Sequence, residues 1–148
     1  MIEIVRLSEK DATYYWNAIE ALVEKGLNKT DREYSVEDYK EYIECGYWEL
    51  WIVIDTVTAE IKGLGVTELI DYPNFSELLV RLVTGKDGKE WINLTTLENT
   101  FVDYATKNKC KRLIMYGRKG WLKILSKLSW TKGCTVMTRD IVTTEKGE

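Results

Sequence analysis

Residues 77–117, ELLVRLVTGKDGKEWINLTTLENTFVDYATKNKCKRLIMYG, are the stretch on which the fold turns. Its opening, Glu77 to Val83, is an apolar run broken once, by Arg81, and reads as an interior strand covered on both faces. TGKDGKE follows, with Gly85 and Gly88, and leads into a segment where Leu94, Leu97, Phe101, Tyr104 and Ala105 fall on one helical face. That segment ends in the polar KNK, and CKRLIMYG, 110–117, is again short and apolar. Strand, crossover helix and strand in this order predict a right-handed parallel pair, 77–83 beside 110–116.

Working outward toward the N-terminus, Ile2, Ile4 and Leu7 mark an opening strand. Ser8, with Asp11 three residues on, reads as the cap of a first helix whose inner face is Ala12, Tyr15, Trp16, Ile19, Leu22 and Val23, with Gly26 as the stop. Ser35 caps a second helix, with Val36, Tyr39, Tyr42 and Ile43 inward, ahead of Gly46. The run 47–54, YWELWIVI, is a strand buried on both faces, 61–70 its hairpin neighbour, and Pro73 closes that neighbour. Beyond 117, Trp121, Ile124, Leu125 and Leu128 predict a short helix, and CTVMTRDIV a last strand.

Composition narrows the chemistry. At 148 residues, the chain suits one domain spanning 1–148. With 21 basic against 24 acidic residues, a protein devoted to neutralising nucleic-acid phosphates is not expected, although 107–132 is locally basic. Histidine is absent, which removes Ser-His-Asp and Cys-His catalysis and any imidazole-bound zinc, and no metal site is expected. Cys45, Cys110 and Cys134 are widely spaced and read as buried free thiols of a reducing compartment. No apolar run reaches the ~20 residues of a membrane span. MIEIVRL is too short and too acidic for a signal peptide, so the expected place is the cytoplasm, or a virion assembled in a host cytoplasm.

The order strand, two helices, three strands, long helix, strand, short helix, strand resembles the acetyl-CoA-dependent N-acetyltransferase (GNAT) layout along the whole chain. Gly63, and the 118–130 segment RKGWLKILSKLSW with Ser129–Trp130 as its turn, resemble that family locally. The Gly117, Arg118, Gly120, Trp121 turn is similar to one in small GNAT-like proteins of tailed bacteriophages. The resemblance implies an α/β (α+β) fold with a mixed, mostly antiparallel sheet and a splayed parallel pair that takes acetyl-CoA or CoA. It places the cofactor on Leu82, Val83, Thr84, Gly85, Lys86, Gly88, Lys89 and Arg118. Tyr116 becomes the candidate acid and Glu68 the candidate base, with Asp71 and Glu77 as further carboxylates near the presumed cleft.

Acetyl transfer to a small-molecule or protein amine is the activity so implied. Trp91 stands where the family's loop has a small residue and Leu125 where its helix has a tyrosine. Those two positions motivate the alternative, a non-catalytic protein of virion assembly or host interaction, working as a homodimer or against a phage structural partner.

Overall fold

Ser8 and Ser35 start their helices as read. The Ser8 hydroxyl accepts from the Asp11 N–H at 3.1 Å, and Ser35 exchanges side-chain and main-chain hydrogen bonds with Asp38 in a full capping box. The structure is a computed structural model and describes residues 1–30, 32–86, 94–116, 121, 125–134 and 136–142. The chain divides into two compact units, Met1–Tyr116 and Gly117–Glu148.

The first unit runs β1 (Ile2–Leu7), α1 (Glu9–Leu27), α2 (Val36–Glu44), β2 (Glu49–Asp55), β3 (Glu60–Asp71), β4 (Ser76–Gly85), α3 (Leu94–Lys107) and β5 (Arg112–Met115). The sheet order is the chain order, β1-β2-β3-β4-β5, antiparallel throughout except for the parallel pair β4–β5. The mixed sheet and its one parallel pair are therefore those expected from the sequence.

Alternation along the strands divides the core into two layers. Leu50 and Ile52 of β2, Leu64 and Val66 of β3 and Leu82 of β4 pack with Trp16, Ile19 and Val23 of α1 and with Tyr39 and Ile43 of α2. On the opposite face Trp51, Val53, Leu78 and Val80 meet Leu97, Phe101 and Ala105 of α3. Gly65 lies under this helix, where an added Cβ would stand 3.1 Å from the Phe101 ring.

Several expectations are corrected, among them Tyr15 of α1 and Tyr47 ahead of β2, which are exposed rather than turned inward. Gly26 does not end α1; it lies inside the last turn, Asn28 is the cap, and the absent side chain lets the helix close on β4, since a Cβ there would lie 2.8 Å from Leu82 Cδ1. β4 continues through Thr84 and Gly85, which the sequence assigned to the loop, while β5 is only four residues long. Cys45 and Cys134 are exposed and Cys110, packed at the margin of the α3-side core, is half-buried; all three are free.

In the second unit Ser126–Leu128 form a 3₁₀ turn, Ser129 takes the left-handed φ of 70°, and the Trp130 N–H reaches back to the Leu125 carbonyl at 3.3 Å. No strand forms among the described residues of 131–142, where Val136, Met137, Ile141 and Val142 are exposed and a closing strand was expected.

Leu50 is wholly buried between β1, β3 and the helices. Leu50→Ala removes about 2–5 kcal/mol of stability, read as a fall in the urea midpoint at unchanged slope.

Candidate functional site

β5 pairs with β4 only over Glu77↔Arg112, Leu78↔Leu113, Leu79↔Ile114 and Val80↔Met115. On the other side of β4 the ladder to β3 slips at the same height, Val66 facing Leu82 and Thr67 facing Val80, so that Arg81 is an extra residue, a β-bulge. A bulge bends its strand and raises the local twist. β4 thus turns away where β5 stops, and among the described residues no strand pairs with the far edge of Arg81–Gly85, ~16 Å of backbone at strand rise.

The polarity of that edge follows from one hydrogen bond. The Lys86 N–H donates to the Lys62 carbonyl at 3.0 Å, which makes 62/86, and by alternation 64/84 and 66/82, the hydrogen-bonded pairs. Leu82, Thr84 and Lys86 therefore address β3, while Val83 and Gly85 turn N–H and C=O to the open side. Side chains take no part in this: Leu82 is buried under α1 and Val83 packs on the α3 face. Thr84 is buried, and the Lys86 ammonium lies 3.7 Å from Glu60 Oε2. Gly88, Lys89 and Arg118, with Trp91, lie outside the described residues.

Sequence reasoning missed Lys25. Its ammonium crosses from the last turn of α1 to donate to the carbonyls of Gly85 and, at 3.0 Å, Lys86. A contact across 60 residues leaves no local pattern in the sequence.

Arg81 was noticed only as an interruption. From the bulge its guanidinium lies 4.2 Å from the centre of the Trp48 ring and 5.1 Å from that of Tyr34. Its Nε donates to Glu68 Oε1 at 2.8 Å, and a terminal nitrogen lies 2.5 Å from the same oxygen. Tyr39, packed edge-on against the same two rings, has its phenol pushed up to about 12 by burial, against the Arg81 charge, which lowers it. Glu68 is thus held by a guanidinium on the α1 and α2 face of the sheet, and both Arg81 contacts fall on Oε1.

Glu77 and Asp71 are not at the open edge. Glu77 is almost wholly buried at the closed end of the β4–β5 pair, accepting from Arg112 Nε at 2.8 Å and from the Tyr72 hydroxyl at 3.2 Å. Asp71 accepts from Ser76 at the β3–β4 turn. Tyr116, exposed, directly follows the last paired residue of β5. Leu125 is half-buried beside the 3₁₀ turn.

A second polar chain lies on the α3 face. Trp51 Nε1 donates to Thr67 Oγ1 at 2.9 Å, and Thr67 donates to Glu49 Oε1 at 2.8 Å. Arg6 donates to the Tyr104 hydroxyl at 2.8 Å, close enough to Glu49 for the carboxylate to raise the tyrosine further above its ordinary value after burial. Burial raises the Glu49 carboxyl above its ordinary value, opposed by the Thr67 hydrogen bond and the Arg6 charge. The network ties β1, β2 and β3 to the C-terminal half of α3. Among the described residues no group of three or more Cys, Asp or Glu side chains is gathered closely enough to hold a metal ion, and no helix is long and apolar enough to cross a membrane.

A bulged strand whose edge parts from a parallel neighbour, with helices on both faces, defines the GNAT fold, and solved structures bear this out. An aminoglycoside acetyltransferase from an uncultured soil metagenomic sample matches at 13% identity and a TM-score of 0.71, over 97% of this chain and 99% of its own. A ribosomal-protein-alanine N-acetyltransferase from Brucella melitensis matches at 10% identity and 0.71, over 95% and 100%. A predicted acetyltransferase with acetyl-CoA from Clostridium acetobutylicum matches at 10% and 0.68, over 95% and 96%. At such identities the likeness is one of fold. No family model matches the chain, and no curated protein does.

Two outcomes follow from the polar groups. Arg81→Met leaves the half-buried Glu68 without its guanidinium and lowers stability by about 1–3 kcal/mol, measured by urea unfolding. Because the Glu49 pKa is higher in the folded chain than in the unfolded one, its contribution is full below the unfolded pKa and lost as pH rises through the folded one. Melting curves across that range show the wild type losing stability relative to Glu49→Gln as pH rises; a constant difference refutes the assignment.

Proposed function

We infer that this chain is an N-acetyltransferase that takes an acetyl group from acetyl-CoA and passes it to an amine. The observation that carries this reading is the unpaired edge of β4 from the Arg81 bulge to Gly85. An extended ligand arm bearing amides needs alternating donors and acceptors along its length; the main chain of Val83 supplies both, and the Gly85 N–H adds a donor beside a carbonyl that Lys25 already holds. The residues named for the cofactor fit it unevenly. Leu82 and Thr84 serve by positioning the strand, Val83 and Gly85 by their backbone, and Lys86 with a charge shared with Glu60.

Acetyl-CoA, when bound, supplies an activated thioester. The chain's part is to orient and to manage protons. At the bulge Arg81 has no register partner on β3, and a main-chain donor fixed there would polarise a carbonyl without reorganisation. Glu68, with Oε1 engaged by Arg81, offers Oε2 to a substrate ammonium and takes its proton as the nitrogen becomes the nucleophile. Tyr116, free to reach solvent, returns a proton as the thiolate leaves.

The soil and Brucella neighbours, an aminoglycoside and a ribosomal-protein-alanine acetyltransferase by name, support an amine acceptor in general. Calorimetry of the whole chain with acetyl-CoA gives saturable heat, and a panel of amines releases free CoA thiol in proportion to enzyme. In that assay Tyr116→Phe lowers kcat by roughly 10²-fold or more. A folded sample giving no heat at millimolar acetyl-CoA disproves the reading.

A further inference from the structure

We propose that Lys25, at the end of α1, is the cation that fixes the diphosphate of the CoA-type ligand at the mouth of the cleft; the inference rests on the acetyl-CoA reading above. Of the lysines read as diphosphate ligands, Lys86 is the one whose placement is described, and it is directed elsewhere. Its N–H is given to the Lys62 carbonyl at 3.0 Å and its ammonium lies 3.7 Å from Glu60.

Lys25 is directed at the mouth. Its Nζ binds the carbonyls of both Gly85 and Lys86, the last two residues before the chain leaves β4 for the 87–93 connection. An ammonium has three N–H donors, and among the described residues two go to these carbonyls, leaving a third for an anion. The neighbouring chain secures this geometry. Gly26 lets α1 approach within contact of Leu82, and the negative end of the α1 dipole favours a cation in that last turn. A compact point charge of this kind suits a phosphate oxygen, for which no bidentate fork is required.

Lys25 thus joins the strand edge that holds the ligand's arm to the anion at its end. Of the ligand's parts only the diphosphate meets this charge directly, and this separates a binding role from a structural one.

Titration of the whole chain with CoA and with pantetheine, which lacks the phosphates, tests this. Lys25→Met weakens CoA binding roughly tenfold or more and flattens its salt dependence, while pantetheine affinity falls by much less than that of CoA. Lys25→Gln, which keeps a donor for the two carbonyls without the charge, behaves the same way and covers the case in which the methionine variant folds poorly. Equal loss of both ligands in the variants, or unchanged CoA affinity, overturns the role of Lys25 while leaving the acetyl-CoA reading intact. A wild-type chain that binds neither ligand overturns both.

Discussion

Between Val80 and Leu82 the β4 strand supplies one residue more than β3 can pair, and the rest of the first unit is arranged around the place where Arg81 goes. An unanchored bulge is a soft point, free to slip one residue and exchange the faces of every side chain beyond it. Here the extra residue carries a long cationic side chain, gripped by Glu68 and laid against Trp48 and Tyr34. Slippage would tear that grip apart. The register of β4 beyond the bulge, and the direction of its free N–H and C=O groups, are consequences of the clamp.

The clamp also decides what the nearby groups are free to do. A carboxylate with one oxygen gripped by a guanidinium holds the other in a fixed direction, which suits it to receive an ammonium. The aromatic wall of Trp48, Tyr34, Tyr39 and Tyr42 fills the space beside Arg81 by edge-on and stacked contacts. Trp48 and Tyr34 bear on the arginine itself, and Tyr39 and Tyr42 brace those two rings. On the opposite face Glu49, Thr67, Trp51, Tyr104 and Arg6 moor α3, and α3 in turn covers the β4 side chains that point away from α1 and α2.

How far the sequence reveals all this depends on the range of the interaction. Caps at Ser8 and Ser35, the buried strand read at 47–54 and the crossover unit are recorded in residues a few places apart, and all are found, the strand at Glu49–Asp55. Arg81 is visible in the sequence as an interruption, but an interruption of one residue does not say whether a strand bulges, ends or turns a charge to solvent. Lys25 and Gly85 meet through α1 lying on the sheet, so neither residue's neighbours foretell the bond. Gly26 misleads for a related reason: glycine serves close packing as well as helix termination, and only Leu82 above it shows which. The exposed apolar residues of 136–142 alternate as a strand would, yet alternation needs a paired neighbour before it becomes one.

An unpaired strand edge is also a hazard, because it offers the same hydrogen-bonding row to any extended chain that arrives. The outer edge of the sheet is guarded in a familiar way, with Glu3 and Arg6 exposed on the short β1. At the β4 edge the ammonium of Lys25 covers the last carbonyls. A charge in that position repels the apolar strands that drive edge-to-edge aggregation and still admits a polar, anionic guest. One lysine thereby blunts an edge that the rest of the sheet leaves open.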